Sequence, residues 1–285
     1  MISIHFEKEQ DCLVFFSAIV KYMSLYHSVG FHGDVQCQDN QLITIDCADH
    51  IHYNESLRPL LASLFVHYLI ATKEESWLRD IVRDMFYFEE EEEQQQIVSI
   101  ARSLLDNKRN IGRTNLHFQR EDFIYRAFLE SLEHDSAFYY EAFLTFRLRE
   151  YFEQLVVYVE KAIDEYYLEQ EYQTLVEQLR NFILKTKERS EAIHVVYGEE
   201  VRFYDKTYRH MKREELLFYL EEELVFEKGL RIEEMVISPL VSLVPGKVYM
   251  YANDFDIGVI HTMQAIFQER LTLLPLASFR YAEID

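Results

Sequence analysis

The hydrophobic pattern changes period along the chain. Ile2, Ile4 and Phe6 alternate with Ser3 and His5, which predicts a short strand. Apolar residues then recur from Asp11 to Val29 (Leu13, Phe16, Ile19, Val20, Met23) and predict a helix ending near Gly30. Two short apolar runs, Gly33 to Cys37 and Leu42 to Cys47, flank the polar joint Gln38 to Gln41 and predict a β-hairpin. The order β-α-β-β over residues 1–53 predicts a small α/β lobe.

From residue 54 to about 190 the period is that of a helix almost throughout. Leu60, Leu61, Leu64, Phe65, Tyr68 and Leu69 keep helical spacing, with Pro59 in the first turn, where proline is tolerated. Asp106 to Asn115 reads as the clearest loop in the chain. Phe143 to Ile183 is the densest stretch. Leu148, Phe152, Leu155, Val159, Ala162 and Tyr166 form one stripe, and Tyr172, Val176, Leu179 and Ile183 form a second in a shifted phase. The phase break at Glu169 to Glu171 predicts a kink or short joint.

Residues 191–285 change character again. Ala192 to Tyr197 and Val201 to Tyr204 predict a second hairpin. Helices are expected over Glu214 to Phe226, Ile232 to Leu243 and Ile257 to Arg270, with a turn at Pro245-Gly246 and a strand at Lys247 to Tyr251. The fold expected is α+β and predominantly helical. A long-helix core (54–190) is flanked by an N-terminal α/β lobe (1–53) and a C-terminal α/β lobe (191–285), with the alternative of one compact unit.

Composition sharpens this picture mostly by exclusion. Seven glycines and four prolines in 285 residues lie far below the roughly 12% of an average protein. Neither GxGxxG nor GxxxxGK[ST] can be built from those glycines, so a glycine-rich phosphate cradle is not expected, and no cofactor is. The net charge of −21 repels phosphate backbones, and the basic residues are dispersed, so nucleic-acid binding is not expected. Three cysteines, with no CxxC, predict free thiols in a reducing compartment. The start MISIHFEKEQDC has neither the basic region nor the apolar core of a signal peptide. The longest strongly apolar stretch, Leu60 to Ala71, is about half a membrane span. A cytoplasmic protein with no membrane span is expected.

Four constellations carry possible chemistry. Cys47-x2-His50-x-His52 with Cys37 supplies zinc-type ligands, but its spacing matches no zinc knuckle or ribbon. Glu89 to Glu93 reads as a solvated helix face. Glu160, Asp164, Glu165 and Glu169 include i,i+4 carboxylate pairs, yet this helix lacks the Glu-x-x-His motif of di-metal bundles. No metal site is therefore expected. No G-x-S-x-G occurs, and His194, His210 and His261 stand alone in sequence. Catalytic residues are not specified.

The segment Phe143 to Ile183 resembles the YtxC-like family of endospore-forming Firmicutes. The residues that carry the likeness are Phe146-Arg147-Leu148, Tyr151, Ala162, Asp164-Glu165-Tyr166 and Glu171-Tyr172, with the His194-Val195-Val196 strand and a helix running into Pro245 downstream. The resemblance covers residues 140–275. It implies a cytoplasmic protein linked to sporulation and brings no established activity or catalytic residues.

The reading that follows is a non-enzymatic protein that acts through a protein partner, with an acidic, tyrosine-rich exterior. Arg147, Arg149 and Tyr151 on one turn, with Asp164 and Glu165 further along, form the expected contact surface. The alternative is an enzyme, a hydrolase or nucleotide-handling protein, with a site between the C-terminal lobe and the helical core near His194 and Tyr204.

Overall fold

The structure is a computed structural model that describes residues 1–27, 34–46, 53–106, 119–198, 200–221, 224–225, 227 and 234–279. The Asp106 to Asn115 loop lies outside the described residues except for Asp106 itself. The fold is predominantly helical α+β, and the chain divides into two compact units, Met1–Tyr167 and Leu168–Asp285.

In the first unit, β1 (Ile2–His5) is followed by α1 (Glu9–His27), β2 (Asp34–Gln38) and β3 (Leu42–Asp46). β2 and β3 form the expected hairpin, and β1 pairs antiparallel with β3. The fourth strand of this sheet, β4 (Ala137–Tyr139), comes from the middle of the stretch that reads as helix in the sequence. It lies parallel to β1, with Ser3 opposite Ala137 and His5 opposite Tyr139, giving the order β2-β3-β1-β4. Three residues are too few to show a period, which is why the pattern missed them.

The helices of this unit are α2 (Arg58–Thr72), α3 (Glu74–Asp80), α4 (Glu91–Leu105), α5 (Arg120–Ser131), α6 (Tyr140–Arg147) and the first half of α7 (Arg149–Lys185). α2 is buried nearly all round, through Leu61, Ala62, Leu64, Phe65, Val66, Tyr68 and Leu69, as expected of a helix at the centre of a core. Phe65 stacks between Phe15 (ring centroids 3.9 Å apart) and Phe128 (4.4 Å), and Phe128 stacks in turn on Phe143 (4.0 Å). This aromatic ladder ties α1, α2, α5 and α6 together. Tyrosines share the core. Tyr53, Tyr68, Tyr140, Tyr151, Tyr158 and Tyr166 are all buried, so the tyrosine-rich exterior expected from composition is in large part a tyrosine-rich interior.

α7 runs unbroken for 37 residues. The short joint expected as one alternative at Glu169 to Glu171 is not formed, since the helix continues through these residues, and no proline or glycine is there to end it. The stripe changes phase because its two halves serve different cores. Leu155, Val159, Ala162 and Tyr166 belong to the first, and Val176, Leu179 and Ile183 to the second, with Tyr167 to Glu171 exposed in between. The real break comes earlier, at Leu148, whose φ of −100° and ψ of 15° end α6 and separate it from α7.

In the second unit, β5 (Ser190–Tyr197) and β6 (Val201–Asp205) form the expected hairpin. β7 (Pro245–Ala252) lies parallel to β5, and β8 (Leu271–Pro275) lies parallel to β7, giving the order β6-β5-β7-β8. The joining helices are α8 (Arg213–Tyr219), α9 (Ile237–Leu243) and α10 (Gly258–Phe267). α8 stops short of the expected Phe226 because Leu220 turns extended, with ψ 119°. Pro245-Gly246 is not a turn but the start of β7. The reversal is made by Val244, at φ 42°, a conformation uncommon for a β-branched residue. Gly246 is required by space, since a Cβ there would meet the Glu188 carboxylate at 2.8 Å and the Glu191 carbonyl at 3.0 Å.

Candidate functional site

Beneath the break between α6 and α7 lies a buried ion pair. Glu74, at the start of α3, is 1% exposed. Arg120 donates to its Oε1 at 2.8 Å and, through its other guanidinium nitrogen, to Asp106. The Tyr151 hydroxyl donates to Glu74 Oε2. Burial pushes the Glu74 carboxyl above its ordinary value, and Tyr151 and Arg120 pull it back without cancelling that effect. A second buried carboxylate, Asp11 on α1, accepts from Tyr68 at 2.7 Å and from Lys73 at 2.5 Å. Burial would raise it, but these two donors prevail and hold it below the usual carboxylate range. Both clusters tie helices together.

Above the ion pair, the joint carries two clefts on different flanks. One, of about 380 Å³, is walled by Trp77, Leu144, Leu148 and Phe152, with Glu141 and Arg149 as its charged groups. The other, of about 460 Å³, is lined by Phe123, Arg126, Glu130, Arg147 and Glu150 among others. Phe146, the last residue but one of α6, is 78% exposed.

The contact surface read from the sequence is thus divided. Arg147 and Arg149 are both exposed, but the break at Leu148 sends them to separate clefts. Arg149 is already paired with Glu153 at 3.1 Å. Tyr151 is fully buried on Glu74 and does not face outward. Asp164 is exposed and Glu165 half-buried. They lie 15 residues or more beyond Arg149, about 22 Å along the helix. Neighbours with no sequence signal complete the joint: Lys73-Glu74-Glu75 reads as ordinary surface charge, and Trp77 stands out only as the one tryptophan in the chain.

Glu141 is unusual in this setting. Among the described residues its buried Oε1 has no hydrogen-bond partner, and neither does the adjacent Tyr140 hydroxyl. Its charge reaches inward and contributes to the raised pKa of Cys12, Tyr68 and Tyr140, though burial is the larger cause for each. The Cys12 thiol, pushed up to about 12, lies 3.8 Å from the Cys37 sulfur.

The other constellations resolve as follows. Cys47, His50 and His52 lie outside the described residues. Among the described residues no group of three or more His, Cys, Asp and Glu is placed to hold a metal ion. Glu91, Glu92 and Glu93 form the first turn of α4, where carboxylates oppose the positive end of the helix dipole, and Glu93 accepts from the Tyr166 hydroxyl at 3.0 Å. In the second unit, His194 on β5 is 5% exposed and sits between the rings of Tyr208 (4.2 Å) and Tyr249 (4.9 Å). Its Nδ1 is 3.1 Å from the Tyr251 hydroxyl. Burial lowers its pKa, against a smaller pull upward from Asp205. Tyr204, its partner across the hairpin, packs on Phe279 (4.8 Å).

Comparison with known proteins agrees with the resemblance read from Phe143 to Ile183. The model of the YtxC-like family matches residues 59–272. The chain is 27% identical over 285 residues to the uncharacterized protein YtxC of Bacillus subtilis (strain 168), covering 100% of this chain and 98% of that relative. No solved structure matches the chain. Among the described residues no helix is long and apolar enough to cross a membrane.

Proposed function

The chain belongs to the YtxC-like family, and on that premise we propose that it is a sporulation-associated cytoplasmic protein that works by binding a protein partner at the α6–α7 joint. The observation that carries this reading is Phe146. A phenyl ring 78% exposed, with exposed arginines on both sides of the break and a cleft on each flank, has the composition of an interface anchor. Aromatic residues and arginine are enriched in such positions. The net charge of −21 favours a partner with basic character.

A catalytic reading centred on His194 and Tyr204 draws less support. The imidazole is enclosed by tyrosine rings and already engaged at Nδ1.

The test is a photoreactive amino acid placed at position 146 in sporulating cells, with Lys161, exposed on α7, as the control position. Cross-linking to one protein from position 146 alone is expected, and its loss on Arg147→Glu/Arg149→Glu. Equal labelling from both positions, or no product above background, would refute the reading.

A further inference from the structure

The smaller cleft says what kind of group the partner would offer. Its walls are Trp77, Leu144, Leu148 and Phe152, so it takes an apolar stem. Glu141 and Arg149 are the charged residues of that lining. Glu141 has a buried oxygen with no donor, and among the described residues no ion pair joins it to a cation. Arg149, the cation lining the same cleft, is held by Glu153 at 3.1 Å. The Thr145 hydroxyl on that wall is spent as a donor on the Glu141 backbone carbonyl at 2.9 Å. A buried carboxylate oxygen left unpaired keeps its full desolvation penalty, and a cation arriving beside that carboxylate recovers part of this through a charge-assisted hydrogen bond. Trp77 adds an aromatic face for the same cation.

We infer that this cleft is a socket for a basic side chain, arginine or lysine, on an apolar-flanked segment of a protein partner. The inference rests on the partner reading above. The basic occupant follows from charge complementarity: an unpaired carboxylate in the cleft, within a chain of net charge −21. The apolar flanks match Leu144, Leu148 and Phe152, and Phe146, exposed and next in sequence to the cleft-lining Thr145, offers a further apolar contact.

Trp77 is the only tryptophan, so its fluorescence reports occupancy of this cleft in the full-length protein. The probe is the peptide acetyl-Leu-Arg-Leu-amide, set against the same peptide with citrulline, which keeps the shape and removes the charge. The arginine peptide is expected to shift Trp77 emission saturably, with the citrulline peptide at least tenfold weaker. Glu141→Gln is expected to weaken the arginine peptide by tenfold or more, equivalent to about 1.4 kcal/mol. Thr145→Arg, which places a tethered cation at the mouth, is expected to shift the emission by itself and block the peptide, so the test survives if one variant folds poorly.

Three results would overturn the socket: equal titration by both peptides, unchanged binding in Glu141→Gln, or spermidine binding at Trp77 as tightly as the arginine peptide, which would make a free polyamine the occupant. A silent Trp77 with an intact cross-link from position 146 overturns the socket and leaves the partner reading standing. A lost cross-link with intact peptide binding overturns the partner reading instead.

Discussion

In the first unit the two most deeply buried carboxyl groups are paired with cations and tyrosines, Asp11 with Lys73 and Tyr68, and Glu74 with Arg120 and Tyr151. In the second, the buried polar side chains are neutral: His194, Ser238 and Ser242. The sheets differ in the same spirit. The first needs a strand, β4, that lies more than 130 residues along the chain from its partner β1. The second grows from a local hairpin and two parallel crossovers. The first unit therefore depends on distant parts of the chain and on desolvated charge, and the second on backbone fit. Buried pairs are costly to break because one charge is left behind. Backbone fit is sensitive instead to added atoms.

The largest expected effect is in the first unit. Arg120→Met leaves Glu74 buried without its cation and is expected to cost about 3–5 kcal/mol in denaturant unfolding. The double variant Arg120→Met/Glu74→Leu is expected to recover much of that loss, since an apolar pair of similar volume replaces the ion pair. A single-variant cost below about 1 kcal/mol would remove this contrast between the units.

An intermediate effect is expected in the second unit. Gly246→Ala forces a methyl group against the Glu188 carboxylate and the Glu191 carbonyl, and overpacking of this kind costs about 1–3 kcal/mol. Amide exchange in β5 and β7 should accelerate while that of β1 and β3 does not change. Uniform acceleration across both sheets would show that the two units do not respond separately.

The smallest effect is in pH dependence, and its sign separates the units. The folded-state pKa of His194 lies below its ordinary 6.5, so its contribution is complete above about 6.5 and is lost as the pH falls through the lowered value. Asp11, whose carboxyl is held below 3.8, contributes fully above that value and loses its contribution only as the pH falls further. Glu74, with a raised pKa, works the other way: its contribution is present below its ordinary value and is lost as the pH rises. On mild acidification, amide protection should therefore fall first in β5 and β7. His194→Asn should flatten that response. An unchanged profile in the variant would place the sensitivity elsewhere.

Much of the fold was legible in the sequence. The hairpins at β2–β3 and β5–β6, the start of α2 next to Pro59 and the two stripes of α7, except for Leu148 at the break and the exposed Phe152, follow from period and spacing, because each is set by residues close in sequence. The candidate site was legible only in part. Arg147 and Arg149 are exposed as expected, but nothing in Phe146-Arg147-Leu148-Arg149 announces a helix break: it contains no glycine or proline, and its residues suit a helix. Tyr151 is buried and does not face outward, because a tyrosine suits rim or core equally until its hydroxyl finds a partner, and that partner, Glu74, lies 77 residues away.

The sequence by itself determined the helical majority, the strand hairpins, the family and the absence of a glycine-rich phosphate loop, since these depend on local period, composition and spacing. Tertiary structure alone decided where β4 pairs, which half of α7 serves which core, that Tyr151 and Glu74 turn inward, and that Glu141, in one cleft with Trp77, forms no ion pair among the described residues. Those outcomes depend on burial and on contacts between residues far apart in the chain, and burial fixes whether a charge is solvated, paired or left waiting for a partner.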